Sequence, residues 1–291
     1  MSAAIEHHRE QAIFEGAAIG VREFHCSGRD GQGNIEIVDG AQLCIVRTGL
    51  FGYQARGREH IADANSVLFL RQGLEYQTRH PDGRADACTV VTIPEASLRA
   101  LTSTPDAVSA VRDVPWTVRA VSTEAFREHW TLLRELSEDA GDPDRPLSIE
   151  ERALHMASEL FSAPLPKGPA RLARAATERV HRELVENVKE LVAVRVADRL
   201  PLAELAAEVG WSPFELSRVF RQRTGLPVHR YRRQLRLRTA YSRLADGESH
   251  IGDLALDLGF STHSHFAEAF RSEFGLAPSA VRAQGPPMPA D

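Results

Sequence analysis

Long apolar runs are missing: no stretch of the 291 residues approaches the roughly 18 consecutive apolar positions that a membrane-spanning helix needs. No membrane partner is implied. The first eleven residues are polar, carry His7, His8 and Arg9, and lead into no apolar core of the secretory-leader kind. Cysteine is scarce: Cys26, Cys44 and Cys88 are too few, and odd in number, for a disulfide framework. Reduced thiols in the cytoplasm are the simple expectation. A glycine-rich phosphate loop and a nucleophile elbow are also lacking, so no catalytic residue is assigned and no cofactor is implied. A positive balance is absent too. The net charge of −5 would by itself argue against a polyanion partner, but it is unevenly divided. Residues 171–291 hold 18 basic and 15 acidic side chains, a balance of +3, whereas residues 1–170 hold 17 and 25, a balance of −8. The chain is long enough, at 43% hydrophobic, for two domains with their own cores.

What is present is a repeat. Leu205-Ala206, Val209-Gly210, Trp211 and Ser212 recur as Leu254-Ala255, Leu258-Gly259, Phe260 and Ser261, and Phe220-Arg221, Gly225 and Leu226 recur as Phe270-Arg271, Gly275 and Leu276. The shift grows from 49 to 50 between the two sets, so the second copy carries one extra residue at the start of its second helix. Each copy fits a helix-turn-helix. Leu202, Leu205, Ala206 and Val209 form a helical stripe, Gly210 suits a left-handed stop, and Ser212-Pro213-Phe214-Glu215 combines a cap with a first-turn proline. In a unit of this kind the second helix enters the major groove.

Residues 216–245 hold nine arginines (218, 221, 223, 230, 232, 233, 236, 238 and 243) and no acid. The run covers a recognition-helix candidate and the connector behind it, where phosphate contacts are wanted. Arg221, Arg230 and Arg236, with Arg271 in the second copy, are therefore DNA-contact candidates. The connector, 228–244, is helical in pattern and would span about 25 Å, enough to set two recognition helices in successive major-groove segments of double-stranded DNA.

These units resemble the tandem helix-turn-helix domain of the AraC/XylS family of bacterial transcription regulators. The tract 251–282, with Gly259-Phe260-Ser261, His265-Phe266, Phe270, Phe274-Gly275, Pro278 and Arg282, is similar to that family's signature. The resemblance covers roughly the last hundred residues. It implies base contacts from Phe214, Ser217 and Arg218 in the first unit and from His263, Ser264 and Ala267 in the second. Arg218 is the leading candidate for direct readout, because a guanidinium matches guanine O6 and N7 bidentately. Glu268 departs from the family pattern, which often places a basic residue there. RNA polymerase as a partner, activation rather than repression, and a homodimer follow from the resemblance alone.

Residues 13–97 read as β structure: short apolar runs at 20–24, 34–38, 42–47, 51–55, 67–71 and 88–93, punctuated by turn residues, suggest a small barrel or sandwich. The tract 57–65, with Leu68-Phe69, Glu75-Tyr76 and His80-Pro81, resembles the cupin-like sensor domain of one branch of the same family. That resemblance implies a small-molecule effector or a dimerising barrel. Phe51, Tyr53, Phe69, Tyr76 and Cys88 are the candidate effector pocket. Phe126, Trp130, Leu133 and Leu136 form a helical stripe, and a capping box at Ser148-Ile149-Glu150-Glu151 opens a second helix; the pair either dimerises or covers the barrel. A further helix is expected over 171–196.

The expected organisation is an α+β multidomain chain. It has a cupin-like β sensor domain (1–121), a dimerising or covering helical segment (122–163), a linker (164–170), an all-α tandem helix-turn-helix domain (171–283) and a disordered tail (284–291). Two rival regulators remain open. One senses a metal or a thiol reagent through His25, Cys26, Cys44, His80 and Cys88 on one barrel wall; the other is constitutive, with a ligand-free barrel. An enzyme is disfavoured, because residues 1–100 lack the His-x-His pair by which metal-dependent cupin enzymes resemble one another. Three cysteines also cannot build the four-cysteine zinc site of DNA-repair relatives that carry a fused helix-turn-helix.

Overall fold

A computed structural model describes residues 8–28, 33, 35–101, 118–138, 144–162 and 175–285; the expected linker lies outside them, as does the tail beyond Gly285. The N-terminal part is built from β1 (His8–Glu15), β2 (Gly20–Cys26), β3 (Glu36–Ile37), β4 (Ala41–Thr48), β5 (Leu50–Ala55), β6 (Arg58–Asp63), β7 (Ser66–Leu70), β8 (Glu75–Arg79), β9 (Asp86–Ile93) and β10 (Val118–Ala120). They form a six-stranded sheet, β1-β2-β9-β4-β7-β10, and a four-stranded sheet, β3-β8-β5-β6. Every pairing is antiparallel.

The central strands β9, β4 and β7 of the larger sheet are buried on both faces, and the two-residue period of a strand sorts their side chains. Leu43, Ile45, Val67, Phe69, Val91 and Ile93 face outward to a helical layer. Cys44, Val46, Leu68, Leu70, Cys88 and Val90 face the smaller sheet, where they meet Phe51 and Tyr53. Phe69 therefore leaves the expected effector cluster: it stands on the opposite face from Phe51, Tyr53, Tyr76 and Cys88, against Phe161.

That helical layer is α2 (Thr123–Ser137) and α3 (Arg145–Ser162), which follow the short α1 (Glu95–Leu101). Ser122 caps α2, its hydroxyl accepting from Ala125 N at 3.0 Å. Phe126, Trp130 and Leu133 of α2, and Ile149, Ala153, Met156 and Ala157 of α3, are buried against the sheet. The apolar stripes are thus occupied in covering it. The capping-box expectation at Ser148 is corrected. The helix already begins at Arg145, whose guanidinium donates to the carbonyls of Glu135 and Leu136, and Ser148 sits inside it with its hydroxyl on Glu135.

The remaining helices are α4 (Ala175–Val194), α5 (Leu202–Glu208), α6 (Pro213–Thr224), α7 (Val228–Ala245), α8 (Ile251–Asp257), α9 (His263–Phe274) and α10 (Pro278–Ala283). Leu184, Val188 and Val192 of α4 pack beneath the first unit, on Leu205, Leu216, Val219, Phe220 and Tyr231. The second unit shares a core with the β domain: Phe126 stacks on Phe274 at 5.8 Å and meets Tyr241 edge-on at 5.4 Å, and Tyr241 lies over Phe270 at 5.9 Å. Polar contacts reinforce this junction. Arg238, fully buried, donates to Ala64 O at 3.1 Å and Val121 O at 2.7 Å, and Ser242 Oγ donates to Arg47 O at 2.8 Å. On the first unit's side, Glu186 of α4 accepts from Ile61 N at 2.8 Å. No helix among the described residues is long and apolar enough to cross a membrane.

Candidate nucleic-acid interface

Local devices shape each unit. Gly210 (φ 73°) and Gly259 (φ 74°) end α5 and α8 in the left-handed conformation that side-chain-bearing residues adopt only at a cost. Ser212 Oγ accepts from Glu215 N at 3.2 Å to open α6, and Thr262 Oγ1 accepts from His265 N at 3.1 Å to open α9. Both helices stop at a left-handed glycine, Gly225 and Gly275. The extra residue of the second copy falls before its cap, which moves the cap from the counterpart of Ser212 to Thr262. Aligned on their caps, Phe214, Ser217, Arg218 and Arg221 of α6 correspond to Ser264, Ala267, Glu268 and Arg271 of α9.

These α6 residues share one face of the helix, at the spacing that brings side chains together. Phe214 is 76% exposed, so its ring is not used for packing within the described residues. Arg218 and Arg221 are exposed and Ser217 is half-buried; on α9, His263, Ser264, Glu268 and Arg271 are exposed and Ala267 is half-buried. Ser217 also borders a cleft of about 300 Å³ among α5, α6 and α7, shared with Leu202, His229, Arg232 and Arg233.

Tertiary structure divides the nine arginines into two groups. Arg218, Arg221, Arg230 and Arg233 are exposed. The other five are engaged inside the molecule. Arg223 pairs with Glu178 at 2.5 Å, Arg243 pairs with Glu248 and Asp257, and Arg232 donates to Arg195 O and Val196 O. Arg238 locks α7 to the β domain; burial pushes its guanidinium down to about 10, still cationic at neutral pH. Arg236 is a correction to the DNA-contact expectation. Its guanidinium donates to the carbonyls of Val196, Ala197, Asp198 and Gly259 at 2.6 to 3.2 Å. It fastens the segment after α4 to the turn of the second unit, and burial with the neighbouring charge of Arg232 lowers it to about 10. A charge run shows where cations are, and only the fold shows which of them have carbonyl partners.

The β-domain candidates also separate. Tyr53 and Tyr76 rings lie 5.2 Å apart beside Phe51 and Cys88, and the Tyr53 hydroxyl is buried without a hydrogen-bond partner among the described residues. His25 does not join the thiol wall: it faces the other way, its Nε2 3.3 Å from Arg47 and 3.8 Å from Glu23. Cys44 and Cys88 sit together in the inner core, and the neighbouring thiol together with burial holds Cys88 well above its ordinary pKa. Burial likewise raises Cys26. A protonated thiol is a poor nucleophile, so the thiol-reagent reading loses ground. Cys26 and His80 do converge, and they do so on Asp86. Sequence reasoning passed over Asp86; its place opposite Cys26 in a strand pair was the signal that required the register.

Residues 205–284 match the family described as helix-turn-helix domain. The regulatory protein SoxS of Salmonella typhimurium is 32% identical over 102 residues, covering 35% of this chain and 95% of that one. The HTH-type transcriptional activator RhaS of Shigella dysenteriae is 24% identical over 249 residues, covering 83% of this chain and 84% of that one. The HTH-type transcriptional activator RhaR of Klebsiella pneumoniae is 32% identical over 108 residues, where the chain spans only 38% of that relative's length.

Proposed function

The chain belongs to the AraC/XylS family of DNA-binding transcription regulators, and from that premise we propose that it activates transcription by reading two successive major-groove segments with α6 and α9. The observation that carries the reading is the exposed face of α6, where Arg218 and Arg221, among the described residues, make none of the internal contacts that engage five of their neighbours. Arg218 reads guanine, and Phe214, an aromatic ring left in solvent one turn away, meets a thymine methyl. Arg221, Arg230 and Arg271 take phosphates. Glu268, the counterpart of Arg218, repels phosphate or accepts from cytosine N4, so α9 contributes less affinity than α6. Activation is supported by the names of the relatives RhaS and RhaR; an activator would act by contact with RNA polymerase, in the cytoplasm.

The β domain supplies control. A small molecule in the cluster of Phe51, Tyr53, Tyr76 and Cys88 would find a ready hydrogen-bond partner in the Tyr53 hydroxyl. For a homodimer, α3 offers Leu147 on its outer face, 58% exposed.

The test is selection of duplexes from a random pool by the full chain, followed by Arg218→Ala. The variant is expected to lose ~1–3 kcal/mol of discrimination at one base pair. A uniform loss over all sequences with a shallower salt slope would reassign Arg218 to phosphate, and a full chain that selects no sequence would overturn the reading.

A further inference from the structure

We propose that Cys26, His80 and Asp86 form a binding site for one divalent ion of the zinc class at the open end of the β domain's inner core. The site stands on the β domain alone and does not depend on how the helices read DNA.

Register builds it. Cys26, the last residue of β2, is paired directly with Asp86, the first residue of β9. Residues directly opposite in an antiparallel pair project from the same face with Cβ atoms roughly 5 Å apart. His80 arrives from the turn after β8, whose backbone is closed by Gly83 N donating to His80 O at 3.2 Å. One thiol sulfur, one imidazole nitrogen and one carboxylate oxygen thus lie within 4.8 Å of one another. Donors around a tetrahedral ion at bond lengths of ~2.0–2.3 Å stand ~3.3–3.8 Å apart, so the thiol would draw in and the His80–Asp86 pair, now 2.6 Å apart, would open to admit an ion.

Burial distinguishes the cluster from a surface group of acids. The side chains of His80 and Asp86 are 7% and 3% exposed, and their Nε2 and Oδ2 are 2.6 Å apart. The other oxygen of Asp86 receives the Cys88 thiol at 3.8 Å. A histidine–aspartate pair would be complete by itself; the convergence of Cys26 on it adds a third donor of a different class. Sulfur with nitrogen and oxygen is a donor set for zinc or cobalt, whereas magnesium and calcium take oxygen alone. Three protein ligands leave a fourth position for water or, after a small shift, for Cys88. Cys44, deeper in the core, is not a ligand.

The test uses the full chain, stripped with a chelator and titrated with cobalt(II). The expected result is one cobalt per chain, a near-ultraviolet sulfur-to-cobalt charge-transfer band, and displacement by equimolar zinc. Cys26→Ser, nearly isosteric at a half-exposed strand end, should abolish the band and weaken zinc about tenfold or more, as should His80→Gln and Asp86→Asn for zinc. Cys44→Ser should leave both unchanged. Circular dichroism and duplex binding report whether each variant is folded, and Cys26→Ser alone decides if the others are not. Failure to bind cobalt, a band that persists in Cys26→Ser, or zinc affinity unchanged in that variant would overturn the site while leaving DNA recognition untouched.

Discussion

The Tyr231 hydroxyl donates to Asp63 Oδ2 at 2.6 Å, joining residues 168 positions apart. Tyr231 opens α7, the rod between the two DNA-reading units, and Asp63 closes β6. Asn65 completes the clasp by donating its side-chain amide to Tyr231 O at 3.0 Å. Burial pushes the Asp63 carboxyl up, against the opposing effect of the Tyr231, Asn65 and Ser66 donors and of Lys189. The orientation of α7 is thereby referred to a turn of the β domain.

Tyr231→Phe removes a hydrogen-bond donor from a buried carboxyl group and is expected to cost ~1–3 kcal/mol of stability. Combined with Asp63→Asn it should be non-additive by at least ~0.5 kcal/mol in urea denaturation. Strict additivity would show that the two residues do not act on each other.

Arg236→Ala takes a donor from four carbonyls, of which, among the described residues, Val196 O alone keeps one from Arg232. It should destabilise the fold by roughly 1.5–3 kcal/mol and weaken duplex binding without altering its salt dependence. Arg221→Ala should leave stability nearly intact and make the slope of log K against log salt shallower by about 0.9. A shallower slope for Arg236→Ala would restore it to the phosphate contacts.

The two turn glycines separate in the same way. A Cβ on Gly210 meets nothing within 4 Å, so Gly210→Ala pays for its left-handed φ alone, about 1–2 kcal/mol. On Gly259 it would stand 2.1 Å from Ala197 O and 2.6 Å from Arg236 Nη2. Gly259→Ala should therefore cost at least about 1 kcal/mol more in thermal denaturation. Equal losses would mean that the second turn opens freely.

His129 provides a pH signature. Its imidazole is fully buried, with Nε2 2.7 Å from Thr89 Oγ1, and burial together with the charge of Arg47 lowers it to about 3 from 6.5. Between those values the unfolded chain holds a proton that the folded chain does not, so stability rises with pH across the window. The contribution is complete above 6.5 and is lost, at up to about 1.4 kcal/mol per pH unit, as the pH falls towards 3. His129→Gln should flatten that limb of a stability–pH curve; an unchanged limb would place the titration elsewhere.

Legibility in the sequence followed the range of the interaction. The helix-turn-helix copies were readable because caps, left-handed glycines and helical stripes are settled within a few residues. Strands with apolar runs were readable too. By contrast β1 and β8, whose residues are largely polar and half-exposed or exposed, carry no such run, and β6 buries only its last three residues, one of them the charged Asp63. Faces within the main sheet were hidden because Leu43, Cys44, Ile45 and Val46 are all buried, so no alternation marked Phe69 as facing α3 or Cys88 as facing Tyr53.

By itself the sequence determined the two repeated units and the family to which they belong. Only the tertiary structure decided which arginines are left exposed, which candidates share a face, and that Asp86 stands opposite Cys26. The physical reason is that a cap or a turn is satisfied by near neighbours in the chain. The partner of Arg238 or Tyr231 lies more than a hundred residues away, and only folding brings it within hydrogen-bonding distance.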